Sequence, residues 1–184
     1  ISDLEVDQRE VNSKLYHIRY PIENSEDFIT IATTRPETML GDTAIAVNPS
    51  DERYKKVVGK FVTIPLVGRK IKIIEDEYAD PEQGTGAVKI TPAHDFNDYE
   101  VGERNNLEII NVFTEDGKIN ENAPKEFIGL DRFEARKQLL KKLKENNFFV
   151  EEENIKNKVP YGDRSNSIIE PYLTEQWFAD AKKL

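Results

Sequence analysis

The chain has 184 residues, a length that suits one domain with one hydrophobic core. Its 35 acidic and 26 basic side chains leave a net charge of -9, and a content of 38% hydrophobic and 33% charged residues is polar without reaching the disordered class. The lack of cysteine excludes disulfides, thiolate metal sites and a cysteine nucleophile, and having only His17 and His94 excludes a histidine-rich metal centre.

The acidic balance argues against a dedicated nucleic-acid-binding surface, which is usually basic, but allows a domain that receives only the end of a nucleic acid held elsewhere. The apolar runs are too short to cross a bilayer. The opening residues Ile1-Ser2-Asp3-Leu4-Glu5 have neither a basic nor an apolar signal region and do not start with Met, so an excised piece of a cytoplasmic protein is expected.

Alternation of apolar and polar residues predicts a strand over 14–20, and a second strand is expected over 28–33, joined to it by the turn 24–27 as a hairpin. A short buried strand follows over 43–47. Ser50 or Asp51 is placed to cap a helix running to Val58, where Gly59 stops it. Strands are expected over 61–64 and 69–74 around the turn 66–68, and another over 87–91. A helix over 95–105, a strand over 107–113 and a turn at 115–118 come next.

The strongest helix pattern covers 131–147. Asp131 and Glu134 have capping-box spacing, and Phe133, Leu139, Leu140 and Leu143 share a face. Lysines 137, 141, 142 and 144 read as its solvated side. A strand is expected over 148–152. Many short strands with few helices indicate a mixed α+β fold, and periodicity alone does not establish a barrel.

Two segments carry chemistry. In Thr33-Thr34-Arg35-Pro36-Glu37-Thr38 the proline forces a turn directly after a strand and gathers three hydroxyls and a guanidinium at its end. Such a group suits a ribose, a phosphate or an ester carbonyl, and equally suits an ordinary polar turn. In the second segment, Gly84 and Gly86 permit a close backbone approach or a bulge. Lys89 and Thr91 point to one side of a strand, and Asp95 and Asp98 to one side of a helix. An ammonium, a hydroxyl and two carboxylates can then face a single pocket. The competing reading makes Asp95 a helix cap, Asp98 a solvated acid and His94 a structural histidine. Gly84-Thr85-Gly86 is neither a dinucleotide fingerprint nor a phosphate loop. A two-carboxylate glycosidase using Asp95 and Asp98 is disfavoured, because acids one helical turn apart sit side by side rather than flanking a bond.

The order and spacing of these segments resemble the editing insertion of the valyl, isoleucyl and leucyl-tRNA synthetases. The stretches 89–102, 116–120 and 159–165 resemble the valyl branch, from which the other two differ at the Lys89 position and just after His94. The likeness covers nearly the whole chain. It implies a β-barrel-like core with peripheral helices, a single editing domain over 1–184, and connecting segments 1–13 and 160–184 leading to a synthetic domain. Residues near 11–14 should then lie close to 160–171, with Gln176-Trp177-Phe178 as the route back.

The resemblance also implies the activity: hydrolysis of threonine mischarged on tRNA(Val). The implied catalytic residues are Asp98, Lys89, Asp95 and Thr91. Thr33, Thr34, Arg35, Thr38 and His94 would bind substrate, and Gln83, Gly84, Thr85 and Gly86 would bind the tRNA end. Gln83 stands where the family often has a stacking aromatic, which weakens base recognition there. No metal or cofactor is expected in this domain, ATP and Mg being expected only in the synthetic domain. The expected partners are the acceptor end of tRNA(Val) and the remainder of a valyl-tRNA synthetase, with the domain monomeric, cytoplasmic and away from membranes. The rival readings are an isoleucyl or leucyl editing domain, and a non-catalytic RNA-end-binding or spacer module.

Overall fold

The structure is a computed structural model that describes residues 5–175. Among these the chain forms, in order, β1 (Val6–Pro21), β2 (Phe28–Thr33), a short 3-10 helix (Pro36–Gly41), β3 (Ala44–Val47), β4 (Phe61–Thr63), β5 (Lys70–Glu75), β6 (Ala87–Ile90), α1 (Phe96–Asn105), α2 (Arg132–Glu145) and β7 (Phe149–Gly162). The strands make two sheets, β2-β1-β7 and β4-β5-β3-β6. The bridge between Ile22 and Val62 ties one to the other, and β2 lies beside β6. The fold is mixed α+β, with two curled sheets that approach each other without closing a barrel.

The ribbon of β1 and β7 is longer than the pattern predicted. It runs antiparallel from Val6 opposite Gly162 to Ile18 opposite Phe149, with an irregularity between His17 and Ile18. Residues 6–13, expected to be connecting chain, are therefore the first half of a strand. Val11 to Lys14 pair with Asn157 to Asn154, and Pro160 pairs with Gln8, so the neighbours of 11–14 lie a few residues earlier than 160–171. The expectation for Gln176-Trp177-Phe178 lies outside the described residues.

β3 is buried on both faces. Ile45 and Val47 enter the main core with Ile18, Tyr20, Ile29, Ile31 and, from α2, Leu139 and Leu143. Ala44 and Ala46, on the other side of the pleat, join Ala79, Ile90 and Val101. Small side chains on that face let α1 pack closely behind the sheet.

Two expected elements are absent. Residues 51–58 form successive turns: Asp51 accepts from the Arg53 amide at 3.1 Å as a cap would, but the backbone bonds that follow, such as Tyr54 to Asp51 and Val57 to Tyr54, mostly span three residues and close separate turns rather than an α-helical ladder. Residues 107–113 run extended without a strand partner apart from a bridge between Phe113 and Ile119. Several of their backbone groups pair with side chains instead: the Val112 N–H donates to His94 Nε2 at 3.0 Å, and the Asn111 carbonyl accepts from the side-chain amides of Asn120 and Asn122 at 3.0 and 2.8 Å. α2 matches its pattern, with Asp131 accepting from the Phe133 amide, and its lysines make surface pairs such as Lys137 with Glu134. Among the described residues, no helix is long and apolar enough to cross a membrane.

Candidate functional site

A cleft of about 700 Å³ opens between the end of β2, strand β6 and the start of α1. Its lining includes Thr33, Thr34, Arg35, Thr38, Gln83, Gly84, Lys89, Thr91, His94, Asp95 and Asp98. Residues spread over 66 positions of sequence thus meet at one place. Thr85 and Gly86 do not line it. The Thr85 carbonyl accepts from the Tyr54 hydroxyl at 2.6 Å, and a Cβ at Gly86 would meet Arg53 Nη2 at 2.4 Å. Gly86 sits at φ +79 and Gly84 at φ +54, where a Cβ would press on Ala32 at 2.9 Å. The close approaches made by both glycines are to the protein itself.

The turn at Thr33 to Thr38 builds one wall and holds its own backbone. Thr33 Oγ1 accepts from the Arg35 N–H at 3.1 Å, and the Thr38 hydroxyl donates to the Arg35 carbonyl at 3.0 Å. The Arg35 guanidinium donates to the His94 carbonyl at 2.8 Å and pairs with Glu170. Beneath the turn, Glu37 is fully buried and accepts a forked pair from Arg136 Nε and Nη2, both at 2.7 Å, which fastens α2 to this wall.

The floor is an ionic network that sequence reasoning missed. Asp42 is fully buried and accepts from the Tyr20 hydroxyl at 2.7 Å, Lys89 Nζ at 3.0 Å and the Thr91 hydroxyl at 2.6 Å. Lys89 also donates to Thr91. Burial raises the Asp42 carboxyl above its ordinary range, while Lys89 and the two hydroxyls pull it back. An ammonium has three donors, so Lys89 keeps one for the cleft after serving Asp42 and Thr91. No periodicity marked Asp42. Its meeting with Lys89 depends on the antiparallel pairing of β3 with β6, where Ala44 stands opposite Ile90.

Asp98 is nearly buried rather than solvated, and accepts from the Thr91 amide at 2.8 Å. Burial pushes its carboxyl up to about 6, opposed by the Lys89 charge and supported by Asp95. Asp95 does both things foreseen for it: it caps α1, accepting from the amides of Asn97 and Asp98 at 2.9 and 3.2 Å, and it lines the cleft.

His94 is neutral, its imidazole lowered to about 3 by burial and then by the charges of Arg35 and Lys89. Its Nε2 accepts the Val112 N–H, so Nδ1 must carry the proton, and the ring packs 4.5 Å from Phe113. Those contacts are structural. Tyr78, exposed at the cleft's rim, also went unnoticed in the sequence; desolvation and then Asp98 raise its phenol. Leu15 and Ile155 of the β1–β7 ribbon add apolar surface to the cleft, beside the polar Asn157.

The arrangement places a carboxylate at Asp98, donors at Lys89 and Thr91, and the polar Thr33–Arg35 wall around one cleft. The family described as the leucyl-tRNA synthetase editing domain matches residues 52–131. A solved structure, the ternary complex of Agrobacterium radiobacter K84 agnB2 LeuRS with tRNA and LeuAMS, matches with a TM-score of 0.58 at 22% identity, covering 81% of this chain and 20% of that one. The chain belongs with the editing domains of the class I aminoacyl-tRNA synthetases. Within that class it belongs with the valine–tRNA ligases. That of Pelagibacter ubique is 84% identical over 184 residues, covering 100% of this chain and 21% of the relative. That of Geobacillus stearothermophilus is 55% identical over 184 residues, covering 100% and 21%. That of Caulobacter vibrioides is 52% identical over 204 aligned positions, covering 100% and 22%. The chain thus spans about a fifth of the length of these relatives.

Proposed function

We propose that the chain hydrolyses the ester linking threonine to the acceptor end of mischarged tRNA(Val), as the proofreading part of a valine–tRNA ligase. The observation that carries the reading is the convergence of the Lys89 ammonium, the Thr91 hydroxyl and the Asp98 carboxylate at the floor of one cleft. Threonine and valine are nearly isosteric. An apolar pocket rejects the added hydroxyl by only about a hundredfold, a figure known for valine–tRNA ligases themselves. A pocket that hydrogen-bonds that hydroxyl inverts the selection, because valine leaves the polar groups unpaired, a difference worth roughly ten-thousandfold.

In this scheme the Asp98 carboxylate takes the α-ammonium, and the remaining Lys89 donor takes the threonine hydroxyl. The wall of Thr33, Thr34, Arg35 and Thr38 holds the terminal ribose and ester, with Gln83 and Gly84 at the base. Asp95 and Thr91 orient substrate or the attacking water, so the rate gain comes from positioning and carbonyl polarisation. The partners proposed are the acceptor end of tRNA(Val) and the remainder of the synthetase, with the domain monomeric and cytoplasmic.

The test is hydrolysis of threonyl-tRNA(Val), valyl-tRNA(Val) and the mischarged tRNAs of the isoleucine and leucine systems by the chain. Fast, selective loss of threonine supports the reading. Equal rates on all substrates, or binding without turnover, would overturn it.

A further inference from the structure

The cluster formed by His17, Glu151 and Glu153 on the β1–β7 ribbon lies outside the chemistry proposed above. His17 stands opposite Glu151 in the strand register, and Leu15 stands opposite Glu153. Paired residues of an antiparallel ladder, and residues two apart along each strand, share a face. His17, Glu151 and Glu153 therefore project to the same side. One ligand atom from each lies within 4.8 Å of the others.

Three observations make this more than a chance group of acids. First, the His17 ring is buried, with the residue only 6% exposed, and its Nε2 has no hydrogen-bond partner. Nε2 is 2.7 Å from Glu153 Oε1, but the oxygen lies too far off the ring's N–H direction to accept a hydrogen bond. Second, among the described residues no lysine or arginine pairs with Glu151 or Glu153. Glu152, on the opposite face, is the one served by Lys14 and Lys144. Third, the ladder is irregular between His17 and Ile18, and such irregularities re-aim a side chain.

We propose that His17 Nε2 and the carboxylates of Glu151 and Glu153 bind a divalent first-row transition metal, with Zn2+ the best match. One imidazole with two carboxylates is a borderline-soft set, better suited to zinc than to Mg2+ or Ca2+, which take all-oxygen shells. Three protein ligands leave a position for water. The ion cross-links β1 to β7 near the outer edge of the cleft, since Leu15, the neighbour of Glu153 across the ladder, is part of the cleft wall. Because the ligands come from strands far apart in sequence, the folded chain binds the ion and the unfolded chain does not, so binding raises the melting temperature.

The test is titration of the metal-free 184-residue chain with Zn2+ by calorimetry, with thermal melts at each concentration and parallel titrations with Mg2+ and Ca2+. The expected result is one saturable Zn2+ per chain and a melting temperature that climbs with its concentration. Glu151→Gln and Glu153→Gln, at exposed positions that leave the fold intact, should each weaken binding by at least about tenfold. His17→Gln should abolish it, and the exposed pair keeps the proposal testable if that buried variant does not fold. Zinc affinity unchanged in both glutamine variants, or no saturable zinc binding by the parent chain, overturns the site. Mg2+ or Ca2+ binding as tightly as zinc overturns the metal class. None of these readouts uses deacylation, so the result is independent of the proposed function.

Discussion

Asp42 holds the Lys89 ammonium at 3.0 Å while itself fully buried, so this cleft-lining lysine rests on a carboxylate that has no solvent exposure. The pair sets where the free donor of Lys89 points. Removing one partner strands the other in a region of low dielectric, which typically costs 3 to 5 kcal/mol, roughly. Asp42→Ala should therefore lower unfolding free energy by about 3 kcal/mol or more and slow deacylation at least about tenfold. Urea denaturation and threonyl-tRNA(Val) hydrolysis measure both. A fully stable variant would show that the pair is not closed in solution.

The structural and selective roles of Lys89 separate in a double variant. Lys89→Ala alone should lose stability, because Asp42 is left unpaired, and should also narrow the threonine-to-valine ratio. Asp42→Asn with Lys89→Met removes both charges at similar volume, and such replacements are often neutral or stabilising. That variant should regain most of the stability while threonine preference stays reduced by about tenfold or more, as expected for one lost charged hydrogen bond. Recovery of the preference along with the stability would move discrimination elsewhere in the cleft.

Asp98 gives the cleft a pH dependence. Its carboxyl lies near 6 in the folded chain against an ordinary 3.8, with burial the main cause. The ionised form is the one that takes an ammonium, so kcat/KM for threonyl-tRNA(Val), corrected for spontaneous hydrolysis, should fall as pH drops through about 6. The sign for stability is opposite. Between 3.8 and about 6 the folded state holds a proton that the unfolded state has released, so this group's contribution declines as pH rises across that window. Asp98→Asn should be slow throughout and should lack the inflection near 6. An unchanged inflection in Asp98→Asn would assign it to another group.

Glu37 and Arg136 fasten α2 to the wall that carries Arg35. The two contacts at 2.7 Å form a planar fork on a carboxylate with no solvent exposure. Glu37→Ala should destabilise the chain by about 3 kcal/mol. Arg136→Lys keeps the charge but loses the fork, and should fall between the parent and Glu37→Ala. Chemical denaturation gives the order. A change within about 0.5 kcal/mol for Glu37→Ala would mean that apolar packing of Leu139 and Leu143 alone holds the helix.

The sequence alone was enough for the local elements and for most of the cleft's lining. Alternation marked the second half of β1, capping residues marked α1 and α2, and the proline at 36 marked the turn that carries Arg35. These features are legible because each depends on residues a few positions apart. Lys89, Thr91, Asp95 and Asp98 could be grouped for the same reason, lying within one strand–helix connection.

What depended on packing between distant segments could not be read in this way. Residues 107–113 have a strand's composition, but their backbone groups are taken by His94, Asn120 and Asn122, partners outside any local window. Residues 51–58 have a helix's punctuation, and Asp51 does accept from the Arg53 amide, but most of the backbone bonds that follow close three-residue turns. Asp42 reads as one acid after a glycine. It becomes the cleft's buried counter-charge only because β3 pairs with β6 and carries it beneath Lys89, 47 residues away. Pairing of that kind is selected by the total free energy of the core, to which no single short segment holds the key.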